Sequence, residues 1–134
     1  MSKATGWSGM SGAAKSIFMW GVYMMFAGIC FMLMPNVILP LLDFEADKEP
    51  WVLVGASLIA ILGYYYVVAA RHKLTPFFRA TILGRFLILC WYGLLVVVHK
   101  SQWQLLLLAI PDQFGGLWTY LELKKMDAAV TATA

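Results

Sequence analysis

From Trp51 to Ala70 the chain runs twenty residues without one charged side chain. A helix rises 1.5 Å per residue, so such a run is about 30 Å long, the thickness of a bilayer's hydrocarbon core. Pro50 precedes it, a residue suited to the first turn of a helix. Three further apolar runs of similar length are found at residues 16–34, 76–99 and 102–123. With 62% hydrophobic and 13% charged residues in 134, and a mean hydropathy of +0.77, the chain has too little interior to hide its apolar surface from water. The expected fold is an all-α integral membrane protein: an antiparallel four-helix transmembrane bundle forming one domain over residues 1–134.

The segments between the runs mark their ends. Residues 1–15 are rich in Gly, Ser and Ala, and residues 126–134 follow the last apolar run as a short tail; both are read as flexible. The first apolar stretch, 16–42, exceeds a signal-peptide core of about 7–15 residues, so it is read as an uncleaved span that stops near Pro35. The broken apolar stretch 36–42 is placed along the outer interface, followed by an acidic run from Asp43 to Glu49. Thr75-Pro76 reads as an N-cap followed by a first-turn proline. Ser101 and Gln104 have the spacing of a capping box, which would leave a turn of two or three residues before the last span.

Charge sets the orientation. Lys3, Lys15, Arg71, Lys73, Arg79, Lys124 and Lys125 fall on one side of these spans, against Lys48 and Lys100 on the other. Basic residues in short loops stay cytoplasmic, so both termini and the 71–79 loop are expected on the cytoplasmic side of a cell membrane. Arg71, Lys73 and Arg79 are then placed to contact anionic lipid headgroups. The net charge of +3 flanks apolar runs and builds no nucleic-acid-reading motif, so no nucleic acid is expected as a partner.

Ionisable groups within apolar spans are the strongest pointer to function, since insertion penalises each by roughly 2.5–3.5 kcal/mol. Arg85 and Asp112 qualify, and antiparallel neighbours would bring them to similar depth, so they are expected to pair. Pro111 removes a backbone donor and is expected to kink the last span. Asp112, Gly115 or Gly116, and Thr119 recur at helical spacing on one face. That face serves either a small polar cavity, lined by Arg85, Asp112, Gln113 and Thr119, or close packing through Gly115 and Gly116. Tyr64 and Tyr65, of the run Tyr64-Tyr65-Tyr66, could complete the polar cluster or lie at the interface. Cys30 and Cys90 lie in apolar runs without metal-ligand spacing, and the methionines of the first span are irregular; no metal site, cofactor or catalytic group is read from them.

The run Thr75-Pro-Phe-Phe-Arg79 with Gly84-Arg85, followed by Asp112-x-x-Gly-x-Leu-Trp-Thr119, resembles small bacterial four-span membrane proteins of uncharacterised function, akin to DoxX-like proteins. The resemblance covers roughly the second half of the chain. It implies a four-helix membrane fold in a bacterial inner membrane, and it transfers no activity. The functional expectation is a small accessory or scaffold protein that binds lipid or a larger membrane complex, as a homo-oligomer or a subunit, without catalysis. The alternatives are a small transporter or ion-conducting oligomer using Asp112 and Arg85, and a quinone-linked redox component.

Overall fold

The computed structural model describes residues 6–44 and 50–133, and among them all regular structure is helical. A 3₁₀ turn at Trp7–Gly9 leads into α1 (Gly12–Leu33), which is followed by the short α2 (Pro35–Leu41), α3 (Trp51–Arg71), α4 (Thr75–Val98) and α5 (Gln104–Thr133). Most of the acidic run, residues 45–49, and Lys3 lie outside the described residues. Three helices, α1, α3 and α4, are long and apolar enough to cross a membrane. The fourth apolar run of the sequence falls in α5, whose Gln104, Asp112 and Gln113 dilute it.

Several boundaries differ from the sequence expectation. Residues 12–15, read as flexible, form the first turn of α1, whose N-terminus is capped by the Ser11 hydroxyl accepting from the Ala14 amide at 3.2 Å. Ala13 and Ala14 are fully buried there. Residues 126–133, also read as flexible, continue α5. The Ser101–Gln104 capping box does not form. Instead Gln104 Nε2 donates to the main-chain oxygen and Oδ2 of Asp43, at 3.1 and 2.9 Å, tying the start of α5 to the end of α2. The connection between α4 and α5 is correspondingly longer, residues 99–103. Both α2 and α3 stop without glycine. Asp43 (φ 62°) and Lys73 (φ 54°) take the left-handed position, and the amides of Phe44 and Leu74 bond back to the Leu39 and Ala69 carbonyls.

The long helices lie side by side in the spatial order α3, α1, α5, α4. Contacts fix their directions. Gly21 meets Gly63 and Tyr66, while Gly28 meets Ala56 and Ala60, so α1 and α3 run antiparallel. Ser16 meets Thr119 and Trp20 meets Gly115, so α5 also runs antiparallel to α1. Arg79 bonds Asp127 near one end of α4 and Arg85 touches Gly115 and Gly116 further along, giving the same relation between α4 and α5.

The α1–α3 seam is built from small residues. Ala14, Gly21 and Gly28 repeat every seven residues on α1, and Ala56, Gly63 and Ala70 do so on α3; all six are buried. A seven-residue repeat keeps one stripe of a helix against its partner. Lipid gives no hydrophobic drive for helices to associate, so close backbone approach through such stripes supplies the van der Waals attraction instead. The larger buried side chains gather at one end, where Met10, Ile17, Tyr66, Phe78 and Leu123 pack together. Tyr66 and Phe77 meet edge to face at 5.2 Å, stitching the end of α3 to the start of α4.

Candidate functional site

Arg85 is the centre of the site. It is the eleventh residue of α4, about 15 Å along the helix from its start. Only 3% of its surface is exposed. Its guanidinium lies over the Trp20 ring of α1, 4.6 Å from the centroid, and 5.7 Å from the centroid of Tyr66 on α3. Such faces attract a cation through the ring quadrupole, by about 2 kcal/mol when desolvated. None of the three guanidinium nitrogens has a hydrogen-bond partner.

The expected pair with Asp112 does not form. Ion pairs among the described residues join Arg79 to Asp127 and Lys125 to Glu122, and neither includes Arg85 or Asp112. Arg85 projects between α1 and α5 toward Trp20 and Gly115, while Asp112 stays half-buried on its own helix. The antiparallel arrangement does bring this part of α5 level with Arg85, but the arginine side chain runs toward Gly115 and Trp20. Gln113, in contrast, does reach α4: its Nε2 donates to the Arg85 carbonyl oxygen at 2.8 Å.

Glycines make room for the arginine. A Cβ on Gly115 would sit 2.5 Å from Arg85 Nη1 and 2.8 Å from the Trp20 ring, and one on Gly116 3.3 Å from Arg85 Cδ. Thr119, one turn further, is fully buried; its hydroxyl bonds the Gly115 carbonyl at 3.0 Å and shares a 2.9 Å hydrogen bond with Ser16 of α1. Ser16 Oγ also lies 2.7 Å from the Ala13 carbonyl oxygen, so the two hydroxyl protons are shared among these three contacts. Each hydroxyl is therefore satisfied locally, so Thr119 serves α1–α5 packing and stands apart from the guanidinium. Pro111 lies within α5, and the helix continues through it to Thr133.

The tyrosine run is resolved by its angular spread around α3. Tyr64 and Tyr65 are both 55% exposed and point away from Arg85, whereas Tyr66 is 8% exposed and forms part of the aromatic wall. Trp20, Tyr66 and Ser16 are the residues that sequence reasoning missed here. The available signal was the four-residue spacing of Gly12, Ser16 and Trp20 on α1, which marks one helix face.

Two grooves flank this centre. A groove of about 510 Å³ opens between α1 and α5, lined by Trp20, Ile110, Pro111, Phe114, Gly115 and Trp118. It is apolar, and Gly115 and Trp20 form the wall behind which Arg85 Nη1 lies. A second, of about 600 Å³, runs between α4 and α5, with Ile82, Leu83, Phe86 and Leu123 along it and Arg79, Lys124 and Asp127 at its rim. Arg79 Nη2 bonds Asp127 Oδ1 at 2.7 Å there, both residues being more than half exposed. Arg71 and Lys73 are exposed at the neighbouring α3–α4 turn. Cys30 and Cys90 are free thiols, and no cluster of His, Cys, Asp or Glu among the described residues has the geometry to hold a metal ion.

Compared with protein-family models, curated proteins and solved structures, the chain matches none. The class that sequence and fold define together is an all-helical protein with three helices able to cross a membrane.

Proposed function

We propose that the chain is a four-span protein of a bacterial inner membrane, with both termini cytoplasmic, that acts without catalysis as an accessory or scaffold protein by binding lipid. The observation that carries this reading is the groove between α4 and α5: apolar walls that fit an acyl chain, with Arg79 and Lys124 at the rim to meet an anionic headgroup. Basic side chains near an anionic membrane surface contribute about 1 kcal/mol each. The outward faces support the same setting, since Phe26, Leu58, Leu83, Phe86, Trp91, Val97, Phe114 and Leu121 are all exposed. Packing of α5 against both α1 and α4, from Gln113 to Leu123, supports its place in the bilayer beside them. Assembly with copies of itself or with a larger membrane complex accords with so much exposed apolar surface.

Retention of phosphatidylglycerol over phosphatidylcholine, read by native mass spectrometry from mixed-lipid discs, tests the lipid reading. The wild-type protein should prefer phosphatidylglycerol, and the double variant Arg79→Gln, Lys124→Gln should lose roughly 5–30-fold of that preference. Asp127→Asn frees Arg79 from its partner and should strengthen the preference. Equal retention of both lipids by all variants would remove the groove from the function.

Orientation has its own test. In a background with Cys30 and Cys90 replaced by alanine, a cysteine at Gln102 should react with an impermeant maleimide in intact cells, and one at Lys73 only after lysis. Reaction at position 73 alone would invert the topology.

A transporter or conducting oligomer would draw on Arg85 and Asp112 acting together, and a quinone-linked component on Tyr64, Tyr65 and Tyr66 with Trp91. Arg85 and Asp112 form no ion pair, and Tyr64, Tyr65 and Trp91 are exposed while Tyr66 is taken up by Arg85 and Phe77, so neither alternative gathers its residues into one site.

A further inference from the structure

We infer that Arg85 is the anion-binding residue of a site for a single-chain carboxylate amphiphile, which enters from the membrane through the groove between α1 and α5. The inference deepens the lipid-binding reading and rests on it, but uses a different groove and a different cation. A guanidinium cannot be neutralised by losing its proton, because it stays charged throughout the physiological range. It is left 3% exposed, none of its nitrogens makes a well-formed hydrogen bond, and it is surrounded by two aromatic faces with the Tyr66 hydroxyl and the Asp112 carboxylate as nearby polar groups. A buried charge in that position draws an anion.

The geometry selects the kind of anion. The guanidinium carbon lies 4.6 Å from the Trp20 ring centroid, and its N–H groups meet no acceptor at hydrogen-bond geometry. A planar carboxylate matches a guanidinium edge with two parallel hydrogen bonds. The approach lies past Gly115, which has no side chain to close it, and past the Trp20 ring, whose displacement would uncover Nη1. The groove outside is about 510 Å³ and walled by Ile110, Pro111, Phe114 and Trp118. Its size suits one small ligand, and its apolar lining suits a hydrocarbon tail. Asp112 is the competing anion, since a change of its side-chain conformation would bring an internal carboxylate toward the same charge.

The probe is 12-bromododecanoate, titrated at a pH where it is ionised against the full-length protein in phosphatidylcholine discs. Bromine in the groove quenches Trp20 and Trp118, and the saturable part of the quenching should vanish in Trp20→Phe, Trp118→Phe. Arg85→Gln should weaken saturable binding at least tenfold, the scale of a lost hydrogen bond to a charged group, and Arg85→Lys should retain part of it. Ile110→Trp fills the groove from its lipid-facing side without entering the core and should abolish binding even if Arg85→Gln fails to fold. Asp112→Asn should leave binding intact or strengthen it. Saturation by 12-bromododecanol with the same midpoint, or an unaltered midpoint in well-folded Arg85→Gln, would overturn the inference. So would binding by Asp112→Asn alone, which would make Asp112 the native partner of Arg85. None of these outcomes bears on phosphatidylglycerol retention at Arg79 and Lys124, so the two readings fail separately.

Discussion

Alanine at Gly28 or Gly63 is expected to lower stability by about 1–3 kcal/mol, and the same change at Gly55 or Gly93 is not. A Cβ on Gly28 would lie 2.6 Å from the Ala56 carbonyl oxygen and 2.7 Å from the Ala60 amide nitrogen. One on Gly63 would lie 2.6 Å from the Gly21 carbonyl oxygen. These neighbours are backbone atoms of packed helices, which cannot rotate aside as a side chain would, so α1 and α3 must separate along the seam. Overpacking of a tight core costs about this much. Gly55 and Gly93 have nothing within 4 Å of the added carbon. There alanine removes glycine's conformational freedom and should be neutral, or stabilising by up to about 1 kcal/mol. Unfolding of the four variants in mild detergent makes the comparison. Equal effects at all four positions would mean that the α1–α3 approach is looser than described.

Arg85→Met should raise stability by about 1–4 kcal/mol, the range found when a buried ionic group gives way to an apolar residue of similar size. Methionine keeps the length that fills the space beside Gly115 and Gly116 and needs no hydrogen bonds. Asp112→Asn should change stability little, and the double variant should be additive within about 0.5 kcal/mol. The sequence alone points the other way. An arginine and an aspartate at matching depth are expected to form a pair, so that loss of Asp112 would strand the arginine and the double variant would recover. The cycle decides between the two. Destabilisation by either single change, with recovery in the double, would reinstate the pair. A stabilising Arg85→Met fits a residue kept for what it binds at the expense of the fold.

Much of the architecture could be read directly from residues. Apolar runs of bilayer length located α1, α3 and α4 to within a few positions, because hydrophobicity summed over twenty residues overwhelms any single local preference. The small-residue seam was equally present in the sequence, as Ala14, Gly21 and Gly28 opposite Ala56, Gly63 and Ala70, but it goes unnoticed when glycines are read one at a time. Capping was less legible. The Ser101–Gln104 spacing fitted a local box, and Gln104 instead found Asp43, a partner sixty-one residues away in the chain. Lys73 and Asp43 close helices in a conformation for which glycine is the usual signal, so the stops at α2 and α3 carried no sequence mark.

The sequence by itself determined that this chain forms long apolar helices and that Arg85 lies deep within one of them. Both follow from one-dimensional quantities, hydropathy and position along a helix. Only the tertiary structure decided what the arginine faces. Its side chain is long enough to reach α1, α3 or α5, and the choice depends on where the others leave space. The glycines at 115 and 116 open α5, the α1–α3 seam brings Trp20 and Tyr66 to the same level, and Thr119 satisfies itself through Ser16. Asp112, though close in depth, makes no ion pair with the arginine, because a difference in angle around a helix axis is enough to hold two charges out of contact.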